Sequence, residues 1–257
     1  MQGKPGKIIT LQMLEYEFRN VVGNPYVHIF GVGMPVLLAA LITKAVSSEI
    51  TDDAVMKMTS TTIYLGMGVL IPMAILLMGY AISYAGELEK GIPERMRLFG
   101  IRNSVSLCNR AIAEMIFIML SFVVFFGTAQ FLSEIEKPVF SGLVCYSVSI
   151  FAFCIICFML GHGIACVCHS FGKTYCVSMI LYFGFMISAG MMGIRYENMP
   201  KWAQAIAKLL PATYINRDIY QIWRGESYNY MPMIQSYLFL GAVSGIVLFL
   251  GLRKKAV

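Results

Sequence analysis

The densest group of metal-ligating side chains in this sequence is Cys154-x-x-Cys157 followed by His162, Cys166, Cys168 and His169. Thiolates and imidazoles at such spacing can hold zinc or haem iron when a second cluster completes the ligand set. The chain has 3 His in all and no second cluster, so a span histidine satisfied among small packing residues is the better reading, and no metal is expected. Gly172-Lys173-Thr174 looks like the tail of a phosphate-binding loop. That loop needs a glycine five residues before Gly172, where this chain has Val167, and no strand precedes it. Ser188-Ala189-Gly190 does not resemble the Gly-rich nucleophile elbow that an intramembrane serine protease would need. No catalytic, cofactor-binding or metal-binding residue is therefore expected in the chain itself.

The elements around these residues explain why they are so few. Of 257 residues, 58% are hydrophobic and 13% charged, with a mean hydropathy of +0.71, against about 25% charged in soluble domains. A soluble fold of this size would leave large apolar patches in water; a bilayer removes the problem. The net charge of +6 comes from Lys and Arg beside apolar runs rather than from a basic stripe with interleaved aromatics, which speaks against nucleic acid. The Cys residues fall mostly inside apolar runs (Cys145, Cys154, Cys157, Cys166 and Cys176), as reduced apolar thiols do.

Six apolar runs have the length needed to cross a hydrocarbon core of about 30 Å: residues 26–46, 61–84, 112–131, 139–167, 176–192 and 233–252. The fourth is long enough to kink near Gly161-His162-Gly163, and the short fifth is expected to run on into Gly193. Before the first run, Ile8, Leu11, Leu14, Phe18, Val21 and Val22 recur at helical spacing opposite Lys7, Glu15 and Arg19. This predicts an interfacial amphipathic helix within residues 1–25, ended by Asn24-Pro25, with the first span as the insertion signal. Of the 20 Lys and Arg, twelve (Lys4, Lys7, Arg19, Lys90, Arg95, Arg97, Arg102, Arg110, Lys173, Arg253, Lys254 and Lys255) fall on one side of a six-span topology. The positive-inside rule makes that side, with both termini, cytoplasmic. The expected fold is an all-α integral membrane domain over residues 1–257.

Two segments interrupt the spans. In residues 86–110, Pro93 can open a short helix that Gly100 stops, with Glu94, Arg95 and Arg97 beside an apolar edge of Met96, Leu98 and Phe99. A basic loop obeying the positive-inside rule has the same composition. In residues 193–231, Asn198 can cap a helix with Pro200 just inside it, carrying Trp202, Ile206, Leu209 and Leu210. Pro211 ends that piece, and a second follows with Tyr214, Ile215, Ile219, Ile222 and Trp223. Both are too short and polar to span and read as half-helices at the outer surface. Within the spans, Gly241 and Gly245 form GxxxG, and Gly161 with Ala165 a small-xxx-small pair, both suited to helix packing. Glu114 is placed in the first turn of the third span, Lys44 and Glu87 at edges, and no ionisable residue at a span centre. A proton or sodium relay is therefore not expected, and any uphill movement would draw its energy from outside the bilayer.

The layout resembles the membrane subunit of ABC-2 type exporters. The matching features are the interfacial helix, the charged loop ELEKGIPERMRLFGI (residues 87–101) and, most specifically, MPKWAQAIAKLLPATYINRDIYQIWRG (residues 199–225). The chain departs from polysaccharide-exporting relatives in its N-terminal region. The resemblance implies a homodimer, or a pair with a sister permease, bound to two separate ATPase subunits that carry ATP and Mg. It implies that residues 91–100 form the coupling helix, with Glu89, Pro93, Glu94, Arg95, Met96, Arg97, Leu98 and Phe99 as contacts to the ATPase. Pro200, Trp202, Pro211, Tyr214 and Trp223 would belong to outer half-helices past which cargo leaves the cell membrane. With no charge inside the spans, a lipid, hydrophobic drug or peptide is the expected cargo. The competing expectations are a permease-like protein that senses or gives immunity to a peptide or drug, and a channel.

Overall fold

The computed structural model describes residues 11–192 and 196–255, with side chains as far as Arg253. Lys4, Lys7, Ile8, Gly193, Arg195 and the side chains of Lys254 and Lys255 lie outside the described residues. Every regular element among the described residues is helical, and six helices are long and apolar enough to span a bilayer.

Helix α1 is Leu11–Val22. The first span, α2, is Pro25–Ser47, and the second, α3, is Asp53–Glu89. A short helix α4, Ile92–Leu98, leads to the third span, α5, Asn103–Leu132. The fourth and fifth spans are α6, Phe140–Cys168, and α7, Phe171–Ser188. After a 3-10 turn, Tyr196–Asn198, come α8, Lys201–Ala207, and α9, Pro211–Trp223. The last span, α10, is Met231–Lys255.

The six expected spans are all present, several longer than their apolar runs. Backbone hydrogen bonds carry a helix past the end of its apolar stretch, so α3 continues from Asp53, capped by Asp52, through Glu89. Helix α5 starts at Asn103 rather than near Ile112, which puts Glu114 about three turns inside it instead of in its first turn. The fifth span does not run into Gly193. It stops at Ser188, where Met191 N–H reaches back to Met186 O. No break interrupts α6 at Gly161-His162-Gly163.

Helix α3 is the centre of the bundle: its most apolar 18 residues are wholly buried, whereas the corresponding share is 22–44% in the other spans. Lipid tails are as apolar as leucine, so burial alone does not drive spans together, and close backbone packing must contribute. A Cβ on Gly161 would lie 2.7 Å from Leu76 O of α3, so α6 rests there directly on α3. Helices α6 and α10 meet closest where Gly163 faces the Leu248 backbone and Gly251 faces Gly163 O. Ala165 is fully buried, whereas Gly241 and Gly245 make ordinary contacts with Ile156 and Met159.

Two π-helical stretches, Ile29–Gly33 in α2 and Ala74–Tyr80 in α3, pack against each other. Asn24 stitches them: its Oδ1 accepts Tyr26 N–H and its Nδ2 donates to Gly79 O at 3.1 Å. Pro72 lacks the N–H that Gly68 O would otherwise take, and Ile71 N–H supplies a tighter bond at the resulting bend.

Candidate functional site

The two ends of the bundle carry the polar chemistry. At one end α3 runs into Lys90-Gly91 and α4. Gly91 (φ +64°) and Gly100 (φ +83°) occupy the left-handed region on either side of α4, a conformation costly for any residue with a Cβ. The short helix expected from Pro93 and Gly100 is therefore formed and set off by a left-handed turn at each end. Pro93 is buried against the chain, and Arg95 folds back to donate to Lys90 O. Glu89 caps α7 by accepting Phe171 N–H at 2.7 Å. Glu94 and Arg97 stay exposed, Met96 is half-buried, and Leu98 and Phe99 are 84% and 87% exposed. Thus Pro93, Glu89 and Arg95 serve the chain's own geometry, and the outward surface is Glu94, Arg97, Leu98 and Phe99.

One turn before α4, Glu87 accepts a 2.6 Å bond from Arg110 of α5. Arg110 also donates to Ser83 at 3.1 Å and approaches Glu17 of α1 at 3.9 Å. Its guanidinium lies 5.1 Å and 5.6 Å from the ring centroids of Tyr80 and Tyr84. Glu17 takes a further bond from Ser106 at 3.0 Å. Burial pushes the Glu17 carboxyl above its ordinary range, with Arg110 pulling the other way. Glu114, also buried, follows Arg110 by one turn of α5. Beyond Tyr80, the hydroxyl shares a 2.6 Å bond with His162 Nδ1 of α6, and His162 Nε2 lies 3.6 Å from Cys166. His162 is thus tied into aromatic stacking with Tyr80 and Phe158, and no three metal-ligating side chains gather among the described residues.

This network corrects the expectation that the spans hold no internal charge. Arg110 and Glu114 are 4% and 2% exposed on α5, and Glu17 is 2% exposed on a helix expected to lie on the membrane surface. Helix α1 docks on α5, turning Glu17 and Val21 inward. Arg110, Ala113, Glu114, Phe117 and Ser121 repeat at helical spacing on the buried face of α5, so the pattern was present in the sequence. It was masked because an arginine next to an apolar run reads as a topology signal.

At the opposite end, α9 is a wedge between α3 and α6. Ile215 and Ile219 have no exposed surface, and Trp223 has 5%. A Cβ on Gly142 of α6 would collide with the backbone of Ile222 and Trp223, so the wedge lies directly on the span. Pro211 opens α9 rather than merely ending α8, its missing N–H costing nothing at that position. Asn198 closes the 3-10 turn, and Pro200 precedes α8; the expected Asn198 cap is displaced because Pro200 supplies the extended residue before the helix. Trp202 is 70% exposed, while Tyr214 is buried and donates to Lys208 O.

The residue that holds this end together was not anticipated. Glu136, in the loop from α5 to α6, accepts Tyr220 O–H at its carboxylate and Trp223 Nε1–H at its carbonyl, both at 2.9 Å. Its own N–H donates to Thr61 of α3. Asn216 adds a 2.7 Å bond to Ala189 O at the end of α7. On the outer side of α9, Arg217 pairs with Asp218 through two bonds and lies over Tyr196 and Tyr214. Tyr228 donates to Asp218 at 2.8 Å, and burial together with that bond pushes its hydroxyl pKa up. A cavity of about 450 Å³ lies between Lys208, Tyr214, Arg217 and the start of α10 at Pro232, Gln235 and Ser236.

Six helices of spanning length, with a loop helix at one end and a broken helical segment at the other, are the layout of a multi-pass membrane protein. The family model of the ABC-2 type transporter matches residues 10–217. The chain belongs to that family, and is the permease part of an ABC transporter, multi-pass in the membrane and not itself catalytic. Permeases of this kind work with an ABC ATPase and typically with a second membrane subunit. No curated protein matches the chain.

Proposed function

We propose that the chain is the permease subunit of an exporter that moves an apolar or amphipathic cargo, a lipid, drug or peptide, outward across the cell membrane. Both termini and α4 face the cytoplasm in this reading, and α8 and α9 lie at the outer surface as half-helices. Two ATPase subunits carry ATP and Mg, and a second permease, identical or a sister chain, completes the pathway. The observation that carries the reading is the outward pair Leu98 and Phe99 on a helix bracketed by two left-handed glycines. Side chains so apolar and so exposed suit a groove on another protein.

The buried network gives that contact a route into the bundle. Helix α4 is joined by two residues to α3, and Glu87, one turn above, is bonded to α5 and, through Arg110, close to α1. Force applied at α4 would therefore reach three helices as one body. Because Arg110 and Glu114 are buried in a span, an absence of span charge supports neither ATP as the energy source nor an apolar cargo; membership of the family supports the ATP-driven role.

The test is co-purification. The full chain should retain an ATPase subunit from its own cells, and Leu98→Asp with Phe99→Asp should release it while leaving the chain folded and inserted. Retention of the ATPase by that double variant would overturn the role given to α4.

A further inference from the structure

At the end of the bundle that holds α9, a cavity of about 480 Å³ opens between the last turn of α2, the first turns of α3 and the end of α5. Thr43, Lys44, Asp53, Lys57, Ser133 and Glu134 line it. Thr43 is 5% exposed, and its hydroxyl has no hydrogen-bond partner; the buried Ser133 hydroxyl has none either. Leaving such groups unpaired costs about 1–3 kcal/mol each, and both belong to residues that line the cavity. A serine or threonine inside a helix often returns its proton to the preceding turn, as Ser60 does to Met56 O. Thr43 does not, and Ser133 is the extended residue that follows α5.

The charges narrow the ligand. Lys57 pairs with Glu134 at 3.6 Å. That leaves Lys44 and Asp53, whose side chains have no ion-pair partner among the described residues. One unmatched cation and one unmatched anion in a single cavity complement a zwitterion. An amphiphile could also reach the site. Leu37 and Leu41 of α2, each 56% exposed, share a helix face with Lys44, and Leu132 of α5, 58% exposed, lies on the cavity rim. A lysine at a span end commonly snorkels to the interface without binding anything. The free hydroxyls and the unmatched aspartate distinguish this one.

We propose that this cavity binds the headgroup of a zwitterionic phospholipid. Lys44, Thr43 and Ser133 take its phosphate, Asp53 takes its primary ammonium, and the acyl chains run along Leu41 and Leu37. The site lies apart from α4 and from the cavity beside α9, and its occupancy is independent of ATP.

Native mass spectrometry of the full chain in detergent, titrated with phosphatidylethanolamine, phosphatidylglycerol and soluble glycerophosphoethanolamine, tests the assignment without any ATPase. Phosphatidylethanolamine should bind about tenfold more tightly than phosphatidylglycerol, the weight of one charge-assisted hydrogen bond. Thr43→Val and Lys44→Ala should each lower its affinity by a similar factor, Thr43→Ser should restore it, and Asp53→Asn should erase the preference. Equal binding of the two lipids to the wild-type chain would overturn the zwitterion, and unchanged affinity in Thr43→Val and Lys44→Ala would overturn the site. Soluble headgroup binding as tightly as the lipid would overturn the membrane source. A circular-dichroism spectrum matching wild type establishes that each variant compared is folded.

Discussion

At the α4 end of the bundle a charged group is buried while Leu98 and Phe99 stand exposed; in α9, at the other end, the apolar side chains are buried and Arg217 is exposed. Arg110, Glu17 and Glu114 are buried among α1, α3 and α5, and α4, which follows α3, exposes Leu98 and Phe99. Ile215, Ile219 and Trp223 are buried beneath Arg217 and Lys208. The second arrangement is that of any amphipathic helix on a core and explains itself by burial. The first costs free energy on both counts, since charges are desolvated and apolar surface is left exposed. A fold keeps such an arrangement where another protein covers the apolar face and where the buried charges couple several helices. The two ends thus differ: the α9 end closes on its own chain through Glu136, and the α4 end, in the function proposed above, is the one that meets a partner.

The comparison breaks most sharply at Arg110. Arg110→Met leaves the buried Glu17 and Glu114 and the half-buried Glu87 without their cation and should cost about 3–5 kcal/mol, read as a large fall in the melting temperature of the full chain in detergent. Adding Glu17→Gln and Glu87→Gln to Arg110→Met should recover much of the loss; no recovery would mean that Arg110 acts through packing alone. At the other end, Trp223→Phe removes the 2.9 Å bond to Glu136 O but keeps the ring in its pocket. It should cost about 1–3 kcal/mol, a smaller fall in the same measurement.

A subtler effect concerns pH. Because burial raises the Glu17 carboxyl, its protonated form is the one the fold favours. Its contribution is complete at low pH and is lost as pH rises through its folded pKa. Melting temperature should therefore decline on that rise, and Glu17→Gln should flatten the decline; an unchanged profile would refute the assignment to Glu17. The smallest change in stability belongs to Leu98→Ala with Phe99→Ala. Exposed on one chain, these side chains should shift it by no more than about 0.5 kcal/mol, while stimulation of the partner ATPase falls at least about tenfold. A matching loss of stability would place them in the core of this chain and not at an interface.

Periodicity and turn chemistry were legible in the residues themselves. Six apolar runs of membrane-spanning length, a Pro-opened and Gly-closed helix at residues 92–98, and two short pieces joined at Pro211 all follow from local rules. So did the close packing of Gly161. Less legible were contacts whose partners lie far apart in the chain. Glu17, Glu87 and Arg110 each look like a charge beside an apolar run, and only the docking of α1 on α5 and of α5 on α3 makes them one buried group. Glu136 reads as an ordinary loop acid until α9 folds back to present Tyr220 and Trp223.

What the sequence by itself determined is therefore the set of elements, because span length, helical period and turn residues are decided within a few residues of one another. What only the tertiary structure decided is which faces those elements show each other. It made α3 the buried axis, moved Glu114 from a helix end to its interior, and left the hydroxyl of Thr43 without a partner beside Lys44 and Asp53. The physical reason is that a bilayer rewards any apolar helix that spans it, so burial against lipid does not specify neighbours. Neighbours are chosen by glycine contacts, π-helical turns and the few polar groups that must find each other away from water.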